Sequence, residues 1–541
     1  MRIADDYFGY LAANFPVMCA SDEFPFLPRA TKSIQFLSSL DIINKDKING
    51  AIGHIRSLRS SLERLDLEGA ELDTFLDVHI LKMNMASFLH AFGNREIWKT
   101  DPLLYLKIVL FGIDQIISQF SPLVADAGEC LKMRLAQIPS LLHEAKLNLK
   151  RVSLEHLEKG DELVSATINY LKKGMTLSEK DDMLAREGKA LAKKAVIALD
   201  DFRNFLRRKS PSPSRMNGRR LLTETLKETF AYNKELEEVF EIAHSQYCKV
   251  IGQLKRMAKK IDPHKRWQEV VSTYKIEIRS QKRLREMYVQ QIQRLQDFLH
   301  KENILEVPRT EPIAVMPTPE FMKPIRASAS YRAPLTTHPT EPAYFYITDP
   351  FSTTGKPKAT KSLNILHKEY IFVTAHETYP GHHLLDSRRR HLANPIRSQI
   401  ESPFFYEGWA SYAERLIDEL GYIQDPIQRL IGLRREAWRS VRAMSEVGVR
   451  IKRLNQNKVQ DLLIGLGYRP ASVKLMVRHY MLSCGYQLCY TIGKHEILQL
   501  RKKFAVHLGL KEFHERLLAL GEIPFDLIRK AMTPSNRGRR P

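Results

Sequence analysis

The feature that most constrains the fold is a long stretch, from about residue 30 to residue 300, that contains few Gly and Pro residues. Apolar residues recur in it at i, i+3, i+4 and i+7, as in the segment 236–261, LEEVFEIAHSQYCKVIGQLKRMAKKI. This spacing is typical of helices that bury one face. It predicts a set of long antiparallel helices, in a chain of 541 residues that is long enough to bury a large core.

A different composition, dense in Pro, Thr and aromatic residues, follows this stretch. It contains two short β-type runs, Ile313–Met316 and Ala343–Thr348, each bounded by prolines, which predict a small sheet. Helical patterns return from residue 362. We therefore predict a mainly α protein with a small β-sheet, an α+β fold.

These changes of composition divide the chain into a mostly helical part (1–306), a sheet segment (307–361), a second helical part (362–533) that carries the site, and a frayed tail (534–541). The Ser/Pro/Arg stretch at 207–220, RRKSPSPSRMNGRR, is predicted to be an exposed loop within the first part. We expect the parts to form one intertwined unit.

The net charge of +22, from 84 basic and 62 acidic residues, favours acidic partners such as nucleic acid. The basic residues are spread along the whole chain, however, and no basic-aromatic nucleic-acid motif is present. A solvated cationic surface is therefore favoured over a nucleic-acid footprint. The basic runs at 255–267 and 388–391 keep the second possibility open.

The location of the protein is inferred from its N-terminus and cysteines. Asp5 and Asp6 stand where a signal peptide needs positive charge, and the five cysteines have no C-x-x-C spacing. No segment has 18 uncharged apolar residues in a row, as a membrane span requires. These features predict a cytoplasmic protein without a membrane span. They leave its oligomeric state open.

The segment 376–383, HETYPGHH, begins like the zinc-protease motif H-E-x-x-H but has Pro380 in place of the second histidine. Two residues four apart on a helix lie about 40° and 6 Å from each other. His382 lies about 240° round the helix from His376, and His383 lies about 10 Å along it. Zinc ligands must lie about 2.0–2.1 Å from the ion, so neither can join His376 on an unbroken helix.

Pro380 and Gly381 are the residues that break helices. We predict that Tyr379 to Gly381 loop outward, so that His382 takes the place of the missing ligand. His383 remains the alternative second ligand.

A third ligand is expected from a nearby helix. The segment 404–420, FFYEGWASYAERLIDEL, places Glu407 at the start of an amphipathic helix and Glu414 two turns later on the same face. Two histidines and one glutamate leave the fourth zinc position open, which is typical of a catalytic site rather than a structural one.

Glu377 follows the first histidine directly and is the candidate general base for a metal-activated water. The predicted strand upstream, AYFYIT (343–348), is expected to offer an edge along which an extended peptide could lie.

Four ordered motifs carry a resemblance to a known family: HETYPGHHLL (376–385), FFYEGWASYAERLIDELG (404–421), VRHYMLSCGYQLCYTIGKHEILQLR (477–501) and FHERLLALGEIPFDLI (513–528). With them the chain resembles domain-of-unknown-function family 885, mostly bacterial proteins that carry H-E-x-x-P-G-H-H. The resemblance covers roughly residues 310 to 530, and the helical N-terminal half only loosely.

This family is similar to the gluzincin branch of zinc metallopeptidases, which are mostly helical with a short sheet and a deep cleft. The resemblance implies that His376, His382 and Glu407 hold one Zn²⁺ and that Glu377 is the catalytic base. His383, if it is not a ligand, is expected to donate a hydrogen bond to the substrate or to the developing oxyanion.

In the related peptidases a tyrosine or histidine on a late helix hydrogen-bonds the tetrahedral intermediate. The resemblance implies this role for Tyr490 first and for Tyr486 second. Arg478 is expected to anchor a substrate carboxylate, and Gln487 belongs to the same group of substrate-binding candidates.

The sequence thus predicts a zinc-dependent hydrolase, a metallopeptidase that cleaves peptides rather than folded proteins. The same chemistry serves other amides and esters, so a hydrolase of one of these is an alternative. The second alternative is a non-catalytic cationic helical protein that keeps a vestigial metal site and binds nucleic acid or another acidic partner.

Overall fold

The computed structural model describes residues 2–120, 126–173, 182–212, 218–276, 278, 280–308, 311–319, 322–323, 329–339, 341–348, 367–480, 482 and 484–533. The centre of the predicted loop 207–220, the end of the predicted sheet segment 307–361 and the predicted tail 534–541 lie outside these residues.

The described residues are mainly helical, as the spacing of apolar residues predicts. In chain order the α-helices are α1 (Arg2–Asn14), α2 (Pro16–Cys19), α3 (Lys45–Glu63), α4 (Leu72–Leu89), α5 (Ile97–Thr100), α6 (Pro102–Asp114), α7 (Ala127–Asn148), α8 (Leu154–Lys173), α9 (Asp182–Arg208), α10 (Arg219–Phe230), α11 (Leu236–Ile261), α12 (Trp267–Thr273), α13 (Gln281–Glu302), α14 (Tyr370–Glu377), α15 (His382–Arg390), α16 (Pro403–Glu419), α17 (Pro426–Arg450), α18 (Gln456–Gly465), α19 (Pro470–Tyr480), α20 (Cys489–Leu508), α21 (Leu510–Ala519) and α22 (Phe525–Met532). A short 3₁₀ turn, Tyr486–Leu488, leads into α20.

Several helices begin at a polar side chain that accepts a hydrogen bond from the first turn. Asn44 accepts from the Lys47 N–H at the start of α3, and Asp425 accepts from the Ile427 N–H at the start of α17. In α17 a proline follows the capping residue, where its missing N–H costs nothing. Local sequence therefore determines where these helices start.

The small sheet has three strands in the order β1 (Ile313–Pro317), β3 (Ala343–Ile347) and β2 (Ala329–Arg332). β1 pairs with β3 in parallel, and β2 pairs with β3 antiparallel, with Tyr331 opposite Phe345. The two predicted β-type runs are thus strands of one sheet.

The predicted role of AYFYIT as an edge strand is wrong, because β3 is the central strand and is paired on both sides. The edge next to α14 is β2, in which Tyr331 is the one residue of a strand-favouring type. A strand this short forms because it pairs with β3, and local sequence does not reveal that pairing.

One large apolar cluster contains buried side chains from Ala4 in α1 to Met532 in α22. N-terminal and C-terminal helices therefore share this core. The division of the chain into four parts rests on composition and stays a prediction. Among the described helices, none combines the length and the apolar character needed to cross a membrane.

Helices α16 and α20, which carry site residues, touch backbone to backbone. A Cβ on Gly408 would lie 2.7 Å from Gly493 Cα, and a Cβ on Gly493 would lie 2.1 Å from the Phe404 carbonyl oxygen. Both distances are too short for any side chain, so glycine is required where the two helices cross. This crossing sets how closely Glu407 on α16 approaches the residues at the start of α20.

We predict that Gly493→Ala lowers the free energy of unfolding by about 1–3 kcal/mol or more, because the methyl group overlaps backbone atoms that cannot move aside. Gly50→Ala is the matched control, since Gly50 lies in α3 with open space around its Cα and alanine favours a helix by up to about 1 kcal/mol. Chemical denaturation of both variants measures the effect. Equal stability of the Gly493→Ala protein and the unmodified protein would contradict the assigned packing.

Candidate metal centre

The segment HETYPGHH is divided between two helices, because α14 ends at Glu377 and α15 begins at His382. In the turn between them, a Cβ on Gly381 would lie 1.9 Å from the His376 carbonyl oxygen, so only glycine fits. The Trp409 indole N–H donates to the Pro380 carbonyl oxygen at 2.8 Å. The turn is therefore held against both α14 and α16.

The predicted outward loop is wrong in direction. Tyr379 is fully buried, and its ring lies 5.0 Å from the ring of His383. The turn packs inward because the tyrosine gains apolar burial there.

His376, His382 and Glu407 converge in the interior. Their ligand atoms all lie within 4.8 Å of one another. The Glu407 Oε2 atom lies 3.3 Å from His376 Nε2 and 3.5 Å from His382 Nε2, and the two imidazole rings are 4.6 Å apart. Each of the three residues is at most 5% exposed. This cluster, of one carboxylate oxygen and two imidazole nitrogens, could hold a metal ion.

His383 does not belong to this cluster. It is buried on the other side of the turn, where its Nδ1 lies 3.1 Å from the Tyr331 hydroxyl. Burial lowers the pKa of His383 to about 4, so its ring is neutral at physiological pH. Of the two adjacent histidines, the structure brings His382 to Glu407.

His376 is held from behind by Glu414, whose Oε1 lies 3.0 Å from His376 Nδ1. Arg439 donates two hydrogen bonds to the same carboxylate, each of 2.7 Å, and Arg435 donates to it at 3.1 Å. Burial raises the pKa of Glu414, but the two guanidinium groups outweigh it and leave the pKa well below the usual range. We therefore assign the Nδ1 proton of His376 to the bond with Glu414, which leaves Nε2 free as a ligand.

Glu407 uses its two oxygens differently. Oε1 accepts a hydrogen bond of 2.6 Å from the Tyr486 hydroxyl, whereas Oε2 points to the two histidines. Burial raises the pKa of Glu407, but the contacts with His382 and His376 outweigh it, so the pKa lies well below its usual value. Tyr486, a candidate for oxyanion binding, thus orients a candidate ligand.

Tyr490 lies beside the cluster. Its ring is nearly parallel to that of His376, with 6.2 Å between the ring centroids. The guanidinium carbon of Arg442 lies 4.1 Å from the centroid of the same ring. Burial, together with the nearby Glu407 carboxylate, raises the pKa of Tyr490, so its hydroxyl keeps its proton and can donate it in a hydrogen bond.

Glu377, the candidate base, is half-buried at the end of α14. Its Oε2 accepts a hydrogen bond of 2.9 Å from the Tyr331 N–H. That N–H belongs to the outer edge of β2, since the other side of the strand pairs with β3. The edge strand and the candidate base therefore adjoin each other.

The two candidates for substrate binding, Gln487 and Arg478, do not contact the cluster through any bond among the described residues. Gln487 accepts a hydrogen bond of 2.7 Å from Arg442 Nε and so supports that arginine. Arg478 lies on α19, where it is exposed and pairs with Glu158 at 2.8 Å. No contact within the described residues joins Arg478 to the cluster.

The arginines of α17 were not among the site residues predicted from the sequence. Arg435, Arg439 and Arg442 are all buried and lie four and three residues apart, on one face of the helix. The sequence did contain a signal for them, because the three arginines recur at helical spacing on the same face as the apolar residues of α17. Such a stripe indicates buried charges that need partners.

A charged network lies beneath β2 and α15. Asp386 is fully buried, pairs with Arg389 at 2.5 Å and Arg390 at 2.8 Å, and accepts a hydrogen bond from the Tyr331 hydroxyl. Burial raises the pKa of Asp386, but Arg390, Arg389 and Arg29 outweigh it and lower the pKa to about 2. This network ties the edge strand to α15.

Fold and site together define a mainly helical protein with a buried cluster of two histidines and one glutamate that could hold a metal ion. The chain belongs to the family of bacterial proteins of unknown function DUF885, whose model matches residues 43–532. The resemblance seen in the sequence thus extends into the N-terminal helices. No curated protein matches the chain.

Two solved structures are similar to the whole chain. A presumed lipoprotein of unknown function from Shewanella oneidensis shares 19% sequence identity with a TM-score of 0.75. A presumed lipoprotein from Colwellia psychrerythraea shares 17% identity with a TM-score of 0.79. In both cases the match covers 98% of this chain and 98% of the other. At this identity the likeness establishes the fold alone.

The predicted cytoplasmic location is corrected by these structures, since both are presumed lipoproteins, a class of proteins anchored to membranes by lipid. The cytoplasmic prediction rested on features that the sequence lacks: a recognisable signal peptide, C-x-x-C spacing and a membrane span. A chain with a core of this size needs no disulfides in any compartment, so free cysteines do not identify one.

We predict that Asp386→Asn lowers the free energy of unfolding by about 2 kcal/mol near neutral pH. Because the pKa of Asp386 is depressed to about 2 in the folded protein, its contribution is complete above pH 4 and is lost as the pH falls toward 2. Denaturation at pH 6 and at pH 3 should show the difference between variant and unmodified protein shrinking at the lower pH.

The matched control is Asp526→Asn, since Asp526 is exposed and, among the described residues, pairs with Arg529 one turn away. Its effect should be small at both pH values. A difference for Asp386→Asn that does not depend on pH would remove the electrostatic explanation.

Proposed function

We propose that this protein is a zinc-dependent hydrolase, a metallopeptidase that cleaves peptides with Glu377 as the general base. The observation that carries the proposal is the convergence of His376 Nε2, His382 Nε2 and Glu407 Oε2 in a buried site. Glu377 follows the first of these residues in the chain. This donor set, on a motif divided between two helices, is the one expected of a gluzincin-like site and supports the proposal.

The residues fit a zinc ion. Glu407 Oε2 is buried and accepts no hydrogen bond from any residue in the described part of the chain, so a bound cation would satisfy it. Two imidazoles and one carboxylate are common zinc ligands and leave a fourth position open for water or substrate. Glu414 behind His376 supplies the carboxylate that often supports a ligating histidine.

Zn²⁺ bound at this site would polarise the scissile carbonyl and lower the pKa of water. Glu377 would take a proton from the attacking water with its carboxylate and pass it to the leaving amine nitrogen as the C–N bond breaks. The β2 edge, which reaches Glu377 through the Tyr331 N–H, would hold the substrate backbone in an extended form.

Tyr490 is the residue we propose to hydrogen-bond the developing oxyanion. Its hydroxyl is protonated and adjoins the cluster, and the ring is held between His376 and Arg442. Tyr486 is already engaged by Glu407 and is the weaker candidate for this role.

We predict about one zinc per chain in the purified protein and its loss in His376→Ala, because the variant removes one of three ligands. The matched control is His507→Ala, since His507 is exposed on α20 outside the cluster. Elemental analysis measures both. Absence of metal from the unmodified protein, even after incubation with zinc, would remove the basis of the proposal.

We predict that Glu377→Gln abolishes peptide hydrolysis and leaves the zinc content unchanged, because the amide cannot accept the proton of water and Glu377 is not a ligand. A peptide library read by mass spectrometry tests activity, with Glu512→Gln, an exposed residue on α21, as control. Full activity in Glu377→Gln would refute the assignment of Glu377 as the general base.

The same measurements separate the alternatives. Cleavage of esters or other amides without peptide cleavage would keep the zinc chemistry and change the substrate. Zinc binding that stabilises the fold without any hydrolysis, joined to salt-dependent binding of nucleic acid, would favour the cationic binding protein instead.

A further inference from the structure

Arg442 differs from the other buried arginines of α17. Arg435 and Arg439 pair with Glu414, and Arg450 pairs with Glu446. Arg442 is 7% exposed, yet no carboxylate in the described part of the chain lies within ion-pair distance of it. Buried charges are costly without a partner, so a buried guanidinium that forms no ion pair beside a candidate active site indicates a place for an anion.

The side chain is held in place by neutral groups. Its Nε donates to Gln487 Oε1 at 2.7 Å, and its guanidinium lies over the rings of Tyr490 at 4.1 Å and Trp438 at 4.7 Å. Gln487 is itself fixed, because its backbone N–H donates to the buried Glu446 at 2.9 Å. These contacts orient the guanidinium without giving it an ion-pair partner. Burial alone would lower the pKa of this guanidinium, but Tyr490 and the Glu407 carboxylate lie close enough to raise it.

Arg442 and the metal cluster share Tyr490 as a neighbour. The Tyr490 ring centroid lies 4.1 Å from the Arg442 guanidinium carbon and 6.2 Å from the His376 ring centroid. An extended peptide residue spans about 3.5 Å. The distance from Arg442 past Tyr490 to His376 is therefore covered by no more than about three residues of a bound peptide. A carboxylate bound at Arg442 therefore lies within a few residues of a bond at the cluster.

We propose that Arg442 anchors a substrate carboxylate and thereby selects peptides whose carboxylate lies one to three residues from the scissile bond. This inference rests on the proposed function and names its substrate class. The carboxylate is the C-terminus of a short peptide or the side chain of an acidic residue, and both present the planar pair of oxygens that a guanidinium binds with two hydrogen bonds. Arg442 replaces Arg478 in the anchoring role.

The test measures binding without hydrolysis, in Glu377→Gln protein. Three probes are titrated by calorimetry: Gly-Phe-Leu with a free carboxylate, its C-terminal amide, and the amide of Gly-Phe-Glu. We expect the free acid or the glutamate peptide to bind at least tenfold tighter than Gly-Phe-Leu amide. Which of the two is preferred identifies the source of the carboxylate.

Arg442→Gln, added to Glu377→Gln, should abolish this preference, and Arg442→Lys should restore it only in part because lysine lacks the planar fork. Glutamine can keep a hydrogen bond to Gln487, and thermal denaturation checks that the variant is folded. The matched control is Arg429→Gln, which removes a surface arginine of α17 that pairs with Asp418. It should leave the preference unchanged.

Equal binding of all three probes, no binding of either carboxylate probe at millimolar concentration, or an unchanged preference in folded Arg442→Gln would each overturn the proposal. Because binding is measured in a variant that need not hydrolyse anything, a carboxylate preference without zinc or activity would refute the proposed function and leave the anchor standing. Hydrolysis of amidated, uncharged peptides at the same rate as peptides with a carboxylate would support the proposed function and refute the anchor.

Discussion

The interaction on which the site depends is the buried contact between His376 and Glu414. A carboxylate in the interior is costly unless opposite charges and hydrogen bonds compensate it, and here Arg439 and Arg435 do so. Arg435 in turn reaches Glu369 at 2.9 Å, just before α14 begins. The chain of charges therefore joins α14, α16 and α17 and fixes the direction in which His376 presents its free nitrogen.

Close backbone contacts at glycines fix the position of the turn, as the ion pairs fix the positions of the helices. Gly381 in the turn lies against the His376 carbonyl of α14, and Gly408 of α16 lies against Gly493 of α20, so each pair approaches to a distance that no other residue allows. Trp409 then joins the turn to α16 through its bond to Pro380. A histidine that an unbroken helix would point elsewhere thus begins a second helix and reaches Glu407.

Much of the fold and part of the site could be predicted from the sequence. The helices follow from the period of the apolar residues, and the convergence of His376 with Glu407 follows from their residue types and their places on adjacent helices. The direction of the turn could not be predicted, because it depends on a pocket for Tyr379 that other parts of the chain form. The strand β2 was missed because it is stable only when paired with β3.

The sequence by itself determined which chemical groups are available: the histidines around Pro380-Gly381, Glu377 beside them, and an arginine stripe on α17. The tertiary structure decided which of them meet. Arg439 and His376 are 63 residues apart, and Tyr331 and Glu377 are 46 apart. Such contacts depend on how whole elements pack, and local sequence carries little information about packing between distant segments, which is why the supporting residues appear only in the folded protein.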